Sequence, residues 1–266
     1  MPFADSDGIR IQYDDRGKGE PIFLCLPGWC VHHSIFAPLA ERLSANHRVL
    51  AMDWRGHGES QASDRDWGHA EMVADALAVI AASGVQSVIP IAQAHAGWVA
   101  VELRRQLKQR VPKMVFTNWN PIFVEGNPLA QPFLVAMQAL QDEHRWRETR
   151  ERMLNIWLSG APQSVEKHIR TEMESHGSED WKRAGREITA HYEREGNPLQ
   201  ALSKFSPAAP LLHAYGHPRA PEYLLGQESF ARDHPWFAVR RLEAVSHFPT
   251  LEAPDEAARA IREFTR

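Results

Sequence analysis

The chain has 266 residues, 43% of them hydrophobic and 24% charged, with a formal net charge of −4 and two cysteines. That length can bury a core without metal or disulfide staples, and the acidic balance supplies no field to draw the protein to nucleic acid or anionic lipid. The short polar N-terminus lacks the basic start and apolar stretch of a secretion signal, and no apolar run approaches the roughly 20 residues of a membrane span. A cytoplasmic protein with unbridged, reduced thiols at Cys25 and Cys30 is expected.

In chain order, residues 9–14 (IRIQYD) alternate in polarity and predict an edge strand, followed by a turn at 15–19. The apolar run 21–26 (PIFLCL) predicts a buried strand ending at Pro27-Gly28, and residues 34–44 carry apolar positions at helical spacing. A strand follows at 48–53 (RVLAMD), then a helix over 69–83 stopped by Gly84. Residues 87–92 (SVIPIA) predict a strand, a sharp turn leads into a helix from Gly97 to Lys108, and 113–117 (KMVFT) is a further strand. Strands alternating with helices imply a mainly parallel sheet. The alternation breaks from Pro121 to Leu202, which reads as helical, charged and rich in tryptophan, and resumes with strands at 210–215 and 236–243 and a helix over 255–264. The expected organisation is an α/β core in two parts, 1–120 and 203–266, with a helical cap at 121–202 inserted between them.

In an open parallel sheet, ligands sit outside the carboxyl ends of the strands. Four segments meet that condition. Pro27-Gly28-Trp29 ends one strand, where a loop can offer a backbone N–H to a developing anion. Asp53-Trp54-Arg55-Gly56-His57-Gly58-Glu59-Ser60 follows another; this D-x-R-G-H-G-x-S string points to the α/β-hydrolase fold, with His57 in a structural role. Gln93-Ala94-His95-Ala96-Gly97 lies between a strand and a helix, where that fold carries its G-x-S-x-G nucleophile elbow. Ala94 stands at the nucleophile position, and a methyl group cannot form an acyl enzyme. The N–H of His95 still suits an anion, while the His95 side chain is expected to frame the pocket. The fourth segment, Ser246-His247-Phe248-Pro249, follows the last strand, and His247 is the expected general base because imidazole titrates near neutrality. The position for a supporting acid after strand 113–117 holds Asn118, and an amide can orient an imidazole but cannot balance its charge. Glu125 and Glu222 are the alternative carboxylates. No metal-binding spacing, G-x-G-x-x-G or phosphate loop is present, so neither a metal nor a nucleotide cofactor is expected.

With these residues in place, the chain resembles the cofactor-independent 3-hydroxy-4-oxoquinoline 2,4-dioxygenases. The resemblance rests on Leu26-Pro27-Gly28-Trp29-Cys30, Trp54-Arg55-Gly56-His57-Gly58, His95-Ala96-Gly97-Trp98-Val99, Asn118-Trp119, Ile156-Trp157-Leu158, His234-Pro235-Trp236-Phe237 and His247-Phe248-Pro249, which span nearly the whole chain. It implies cleavage of a 3-hydroxy-4(1H)-quinolone by O2, with release of carbon monoxide and an N-acylanthranilate and no cofactor. Bacterial 2-alkyl quinolone signals such as 2-heptyl-3-hydroxy-4(1H)-quinolone belong to that substrate class, which makes quorum quenching the implied role. The resemblance makes His247 the base for the 3-hydroxyl. It puts the family's supporting acid at Asn118, its elbow serine at Ala94, its backbone donors at Trp29 and His95, its cap tryptophan at Trp157 and a further pocket histidine at Val31. Gln93 is expected to contact the same substrate. The apolar segment 129–140 is placed either to line an alkyl tail or to pack against the sheet. Two other readings stand beside this one: a serine esterase or amidase inactivated at Ala94, and a ligand-binding protein on a hydrolase scaffold that has lost catalysis.

Overall fold

The structure, a computed structural model, describes residues 2–119 and 130–266. Among them, eight strands make one sheet: β1 (Phe3–Ser6), β2 (Ile9–Arg16), β3 (Phe23–Leu26), β4 (Val49–Met52), β5 (Ile89–Gln93), β6 (Met114–Thr117), β7 (Leu211–Tyr215) and β8 (Phe237–Arg241). Their order across the sheet is β1-β2-β4-β3-β5-β6-β7-β8. From β4 onward every pairing is parallel, and only the β1–β2 and β2–β4 pairings are antiparallel, so that β2 alone runs against the rest. The five central strands β3 to β7 are buried at every position, as expected where helices cover both faces of a sheet. This is the α/β-hydrolase architecture anticipated from the motifs.

The helices are α1 (Ala37–Leu43), α2 (His69–Ala82), α3 (Ala96–Leu107), α4 (Ala130–Leu140), α5 (Trp146–Trp157), α6 (Gln163–Glu174), α7 (Ser178–Glu195), α8 (Pro198–Ser203), α9 (Pro221–Asp233), α10 (Pro249–Glu252) and α11 (Pro254–Thr265). Helices α4 to α8 all lie between β6 and β7, with α4, α5 and α7 packed on one another. The first residues of the expected cap, 121–129, fall outside the described residues. Among the described residues no helix is long and apolar enough to cross a membrane.

Three expectations are corrected. The strand at 9–14 is not at the edge: β1 pairs with it from outside, through Phe3↔Gln12 to Ser6↔Ile9. β1 has four residues, with Ala4 and Ser6 buried, too short a repeat to stand out in a polar terminus. The helix expected at 34–44 begins as a 3₁₀ turn over His33–Phe36 and becomes α-helical only from Ala37. Helix α9, between β7 and β8, was not anticipated; its buried side chains are few, Tyr223 and Gln227 among them, so its sequence carries little apolar periodicity.

Both thiols are free and buried. The Arg55 guanidinium is paired with Asp75 at 2.5 Å in the interior. His57 accepts the Cys30 N–H at 3.1 Å through Nε2 and places Nδ1 3.2 Å from the Arg55 carbonyl. It ties the loop after β3 to the loop after β4, the structural role expected of it.

Candidate active site

β5 ends at Gln93 and α3 starts at Ala96, so the chain must reverse within two residues. Ala94 does so at φ +50°, the left-handed region that costs an L-residue roughly 1–2 kcal/mol. The corner is held by the Ala94 N–H donating to the Thr117 carbonyl at 2.9 Å and the Gly97 N–H donating to the Ala94 carbonyl at 3.0 Å. Glycine is required at 97 because a Cβ there would lie 2.4 Å from two ring atoms of Trp119. Trp119 cannot yield: it is fully buried and its Nε1 donates to the Tyr192 hydroxyl at 3.1 Å. The strained elbow of a hydrolase is therefore intact around a residue with no nucleophile. His95 caps α3, where the helix dipole favours negative charge. Neither its N–H nor that of Trp29 is committed to a hydrogen bond among the described residues.

The loop after β8 carries His247. Glu252 accepts the N–H groups of Val245 and Ser246 at 2.9 and 2.8 Å. The His247 N–H donates to the Trp157 carbonyl at 2.8 Å, and its ring stacks on the Trp157 indole with centroids 5.0 Å apart. Gln93 Nε2 donates to the His247 carbonyl at 2.8 Å, while its Oε1 accepts the Thr117 hydroxyl at 2.7 Å. Gln93 thus lines the cavity, and its amide holds the histidine loop to β5 and β6. Burial, and then the neighbouring imidazoles of His217, His95 and His213, hold His247 well below the ordinary histidine range, so its ring is neutral.

Asn118 stands at the end of β6 with φ +52° and no exposed surface. Its Nδ2 lies 3.0 Å from His247 Nδ1 and donates to the His217 carbonyl at 2.8 Å. Its Oδ1 accepts the N–H groups of Gly216 and His217 at 2.7 and 3.3 Å. Next along the chain, the Trp119 N–H donates to His213 Nε2 at 3.1 Å, whose Nδ1 is 2.5 Å from Gln227 Oε1. Of the alternative carboxylates, Glu222 is exposed on the first turn of α9 and Glu125 lies outside the described residues. Among the described residues, the side chain seated on His247 Nδ1 is the Asn118 amide.

Above these residues lies a cavity with about 590 Å³ of space not filled by protein atoms, part of it open to solvent. Its floor is Gly28, Trp29, Val31, Gln93, Ala94, His95, His247 and Phe248. Its roof comes from the helices between β6 and β7: Phe133, Met137 and Leu140 of α4, Met153 and Trp157 of α5, Met173 of α6, and Trp181, Ala184 and Ile188 of α7. Of the segment 129–140, α4 gives three side chains to this roof and packs against α7 and α5. Trp29 stacks on Trp67 at 5.3 Å. The His95 ring stacks on Phe133 at 5.1 Å, and burial pushes its pKa down to about 3, so it frames the pocket as a neutral ring. Trp29, Val31, Gln93, Ala94, His95, Trp157 and His247 therefore converge on one cavity, and Asn118 stands directly behind His247.

The sequence reading missed the backbone of Gly216 and His217, which fixes Asn118, and His213, which fixes Trp119. Main-chain donors leave no residue signature, and a histidine inside a buried strand reads as core. Cys30, His57 and His176 bring ligand atoms within 4.8 Å of one another. Both His57 nitrogens are already engaged by backbone groups. That leaves two donors, short of the tetrahedral set a structural zinc needs.

The chain matches the Alpha/beta hydrolase family over residues 23–260. It is 34% identical to the 2-heptyl-3-hydroxy-4(1H)-quinolone dioxygenase of Mycobacteroides abscessus, over 95% of this chain and 93% of that protein. It is 32% identical to the 1H-3-hydroxy-4-oxoquinoline 2,4-dioxygenase of Pseudomonas putida, over 99% of each. The solved structure of AqdC, described as recognising and cleaving the ring of the Pseudomonas quinolone signal, in complex with its product, superimposes with a TM-score of 0.91 at 32% identity, covering 100% of this chain and 99% of the other. With a full-length match in sequence and in backbone, the chain belongs to the quinolone 2,4-dioxygenase branch of the alpha/beta hydrolase family.

Proposed function

We propose that this protein cleaves the heterocyclic ring of a 3-hydroxy-4(1H)-quinolone bearing an alkyl chain at C2, with O2 as co-substrate. The observation that carries the reading is the pairing, in one apolar cavity, of a buried His247 with two uncommitted backbone donors and an elbow that holds no nucleophile. A quinolone presents two adjacent oxygens, at C3 and C4, on one ring edge. That edge suits a floor of His247 and the N–H groups of Trp29 and His95, while Val31 and Ala94 accept the flat ring. The roof of α4 to α7, lined by methionine and aromatic side chains, suits a flexible alkyl chain.

An ionised quinolone is electron-rich enough to pass an electron to O2, which removes the spin barrier without metal or flavin. The C2–C3 and C3–C4 bonds break, C3 leaves with its oxygen as carbon monoxide, and one atom of O2 ends on each of C2 and C4, giving the N-acylanthranilate. The protein supplies anion stabilisation and water exclusion. A serine esterase would need a hydroxyl at 94, and a pure binder would not need a histidine seated this firmly. Incubating the protein with 2-heptyl-3-hydroxy-4(1H)-quinolone with and without air tests the reading. Oxygen-dependent loss of the quinolone with equimolar carbon monoxide is expected; loss without oxygen, or none in air, refutes it.

A further inference from the structure

The amide of Asn118 has a polarity, and its surroundings read it. Oδ1 faces two backbone N–H groups, those of Gly216 and His217, and Nδ2 faces the His217 carbonyl. Rotating the amide by half a turn would set its NH2 against two donors and its oxygen against a carbonyl, so the assignment of oxygen and nitrogen is fixed by the backbone. Nδ2 has two hydrogens. One goes to the His217 carbonyl, and the other points to His247 Nδ1, 3.0 Å away.

His247 Nδ1 must then be an acceptor. A neutral imidazole carries one proton, so that proton sits on Nε2, on the ring edge away from Asn118. Asn118 does not line the cavity and His247 does. The edge that faces the substrate therefore presents an N–H donor, not a lone pair. General-base action at Nε2, the role expected from the resemblance, requires the opposite tautomer, with an Nδ1–H pressed against an Nδ2–H. Protonation at Nδ1 meets the same conflict. An aspartate at 118 would reverse this polarity, accepting from Nδ1–H and freeing Nε2 to take a proton.

We propose that Asn118 is a positioning residue that holds His247 as a hydrogen-bond donor, so that the pocket selects the quinolone already ionised at its 3-hydroxyl instead of deprotonating it. This rests on the dioxygenase reading. The proton leaves to solvent before binding. Bound, the quinolonate oxygen accepts from His247 Nε2–H beside the Trp29 and His95 N–H groups. Among the described residues, no titratable group nearby offers to take the proton in place of His247. The facing groups are His95 at the elbow, His213 on β7 and His217 after it, all held below the ordinary histidine range by burial. The Glu252 carboxylate is occupied by the N–H groups of Val245 and Ser246. The His217 carbonyl, turned toward Nδ2, shows that the loop after β7 is shaped for an amide and not for a carboxylate.

Two measurements decide this. Nitrogen-15 shifts of the His247 ring in histidine-labelled protein should show Nδ1 unprotonated and Nε2 protonated at neutral pH. A protonated Nδ1 overturns the proposal whether or not the protein is active. The kcat/KM for 2-heptyl-3-hydroxy-4(1H)-quinolone should rise about tenfold per pH unit until the free substrate's own 3-hydroxyl is ionised, with the limb at the substrate's spectroscopic pKa; a flat profile across that range overturns it. Asn118→Asp should flatten the limb and raise kcat/KM at neutral pH roughly tenfold or more, with Nδ1 now protonated; an unchanged limb in a folded variant with a protonated Nδ1 also overturns it. If neither protein consumes the quinolone at any pH, the dioxygenase reading fails, and with it the claim of anion selection. The tautomer is then judged by the nitrogen shifts alone.

Discussion

Acidification should unfold this protein over a narrow interval below about pH 6, because its interior is unusually rich in neutral histidine. Burial pushes His57, His69 and His95 down to about 3 and His213 to about 4, and holds His247 well below 6.5. In the unfolded chain each would titrate near 6.5. Below that value the unfolded state takes up protons that the folded state refuses, so the stability these groups contribute is fully present above pH 6.5 and is lost as pH falls. Each fully refused proton costs about 1.4 kcal/mol per pH unit. Five such groups give up to about 7 kcal/mol per unit. His33 and His168, raised by Asp53 and Glu172, work weakly in the opposite sense. Against a total stability of roughly 5–15 kcal/mol, two pH units of this loss suffice to unfold the domain, placing the midpoint near pH 4.5–5. Tryptophan fluorescence and far-ultraviolet circular dichroism between pH 8 and pH 3, with proton uptake measured by titration, give the test. A protein still folded at about pH 3.5, or one that takes up fewer than about two protons on unfolding, would refute the burial argument.

Three further outcomes follow from the site. His247→Ala removes the side-chain donor at the substrate oxygens and should lower kcat for the quinolone by roughly 10²–10³ in a protein that remains folded; unchanged turnover would remove His247 from the mechanism. Gly97→Ala places a methyl 2.4 Å from the Trp119 ring and should destabilise by about 1–3 kcal/mol, whereas Gly177→Ala, with nothing within 4 Å of its Cβ, should stay within about 0.5 kcal/mol of the parent; equal melting temperatures for the two would contradict the packing. Ala94→Ser restores a hydroxyl at the elbow but leaves Asn118 in place, so no base is available and aryl ester hydrolysis should stay at background; strong esterase activity in that single variant would support the hydrolase reading instead.

What the sequence made legible depended on the kind of interaction. The parallel strands were readable because β3 to β7 are buried on both faces and must be continuously apolar. The elbow and the histidine loop were readable because steric need leaves Gly97 and Pro249 behind. β1 and α9 were not, since each buries only a few side chains and so leaves a weak period. Asn118 was recognised as a neutral group in the place of an acid, and the sequence suggested that another carboxylate could replace it. It could not show that the backbone of Gly216 and His217 orients the amide, because hydrogen bonds to main chain are independent of side-chain identity. The tie from Gln93 to the histidine loop was hidden for a similar reason: its partners are a carbonyl at His247 and a hydroxyl at Thr117, both distant in sequence.

Retention of the elbow without a nucleophile has a physical explanation. Holding Ala94 at φ +50° is unfavourable, and an alanine without a chemical task has no use for an exposed side-chain position there. The same dihedral angle also sets the direction of the next peptide, the one that carries the His95 N–H at the start of α3. In a hydrolase that geometry serves a serine and an oxyanion together. Here only the second use remains, and Gly97, Trp119 and Thr117 still enforce it. The other change in the site has the same direction: replacing an acid by Asn118 turns His247 from an acceptor into a donor. Both departures remove a group that would attack or deprotonate, and both keep or add one that holds negative charge. A scaffold built to create an anion during hydrolysis is thereby suited to hold one that forms before it binds.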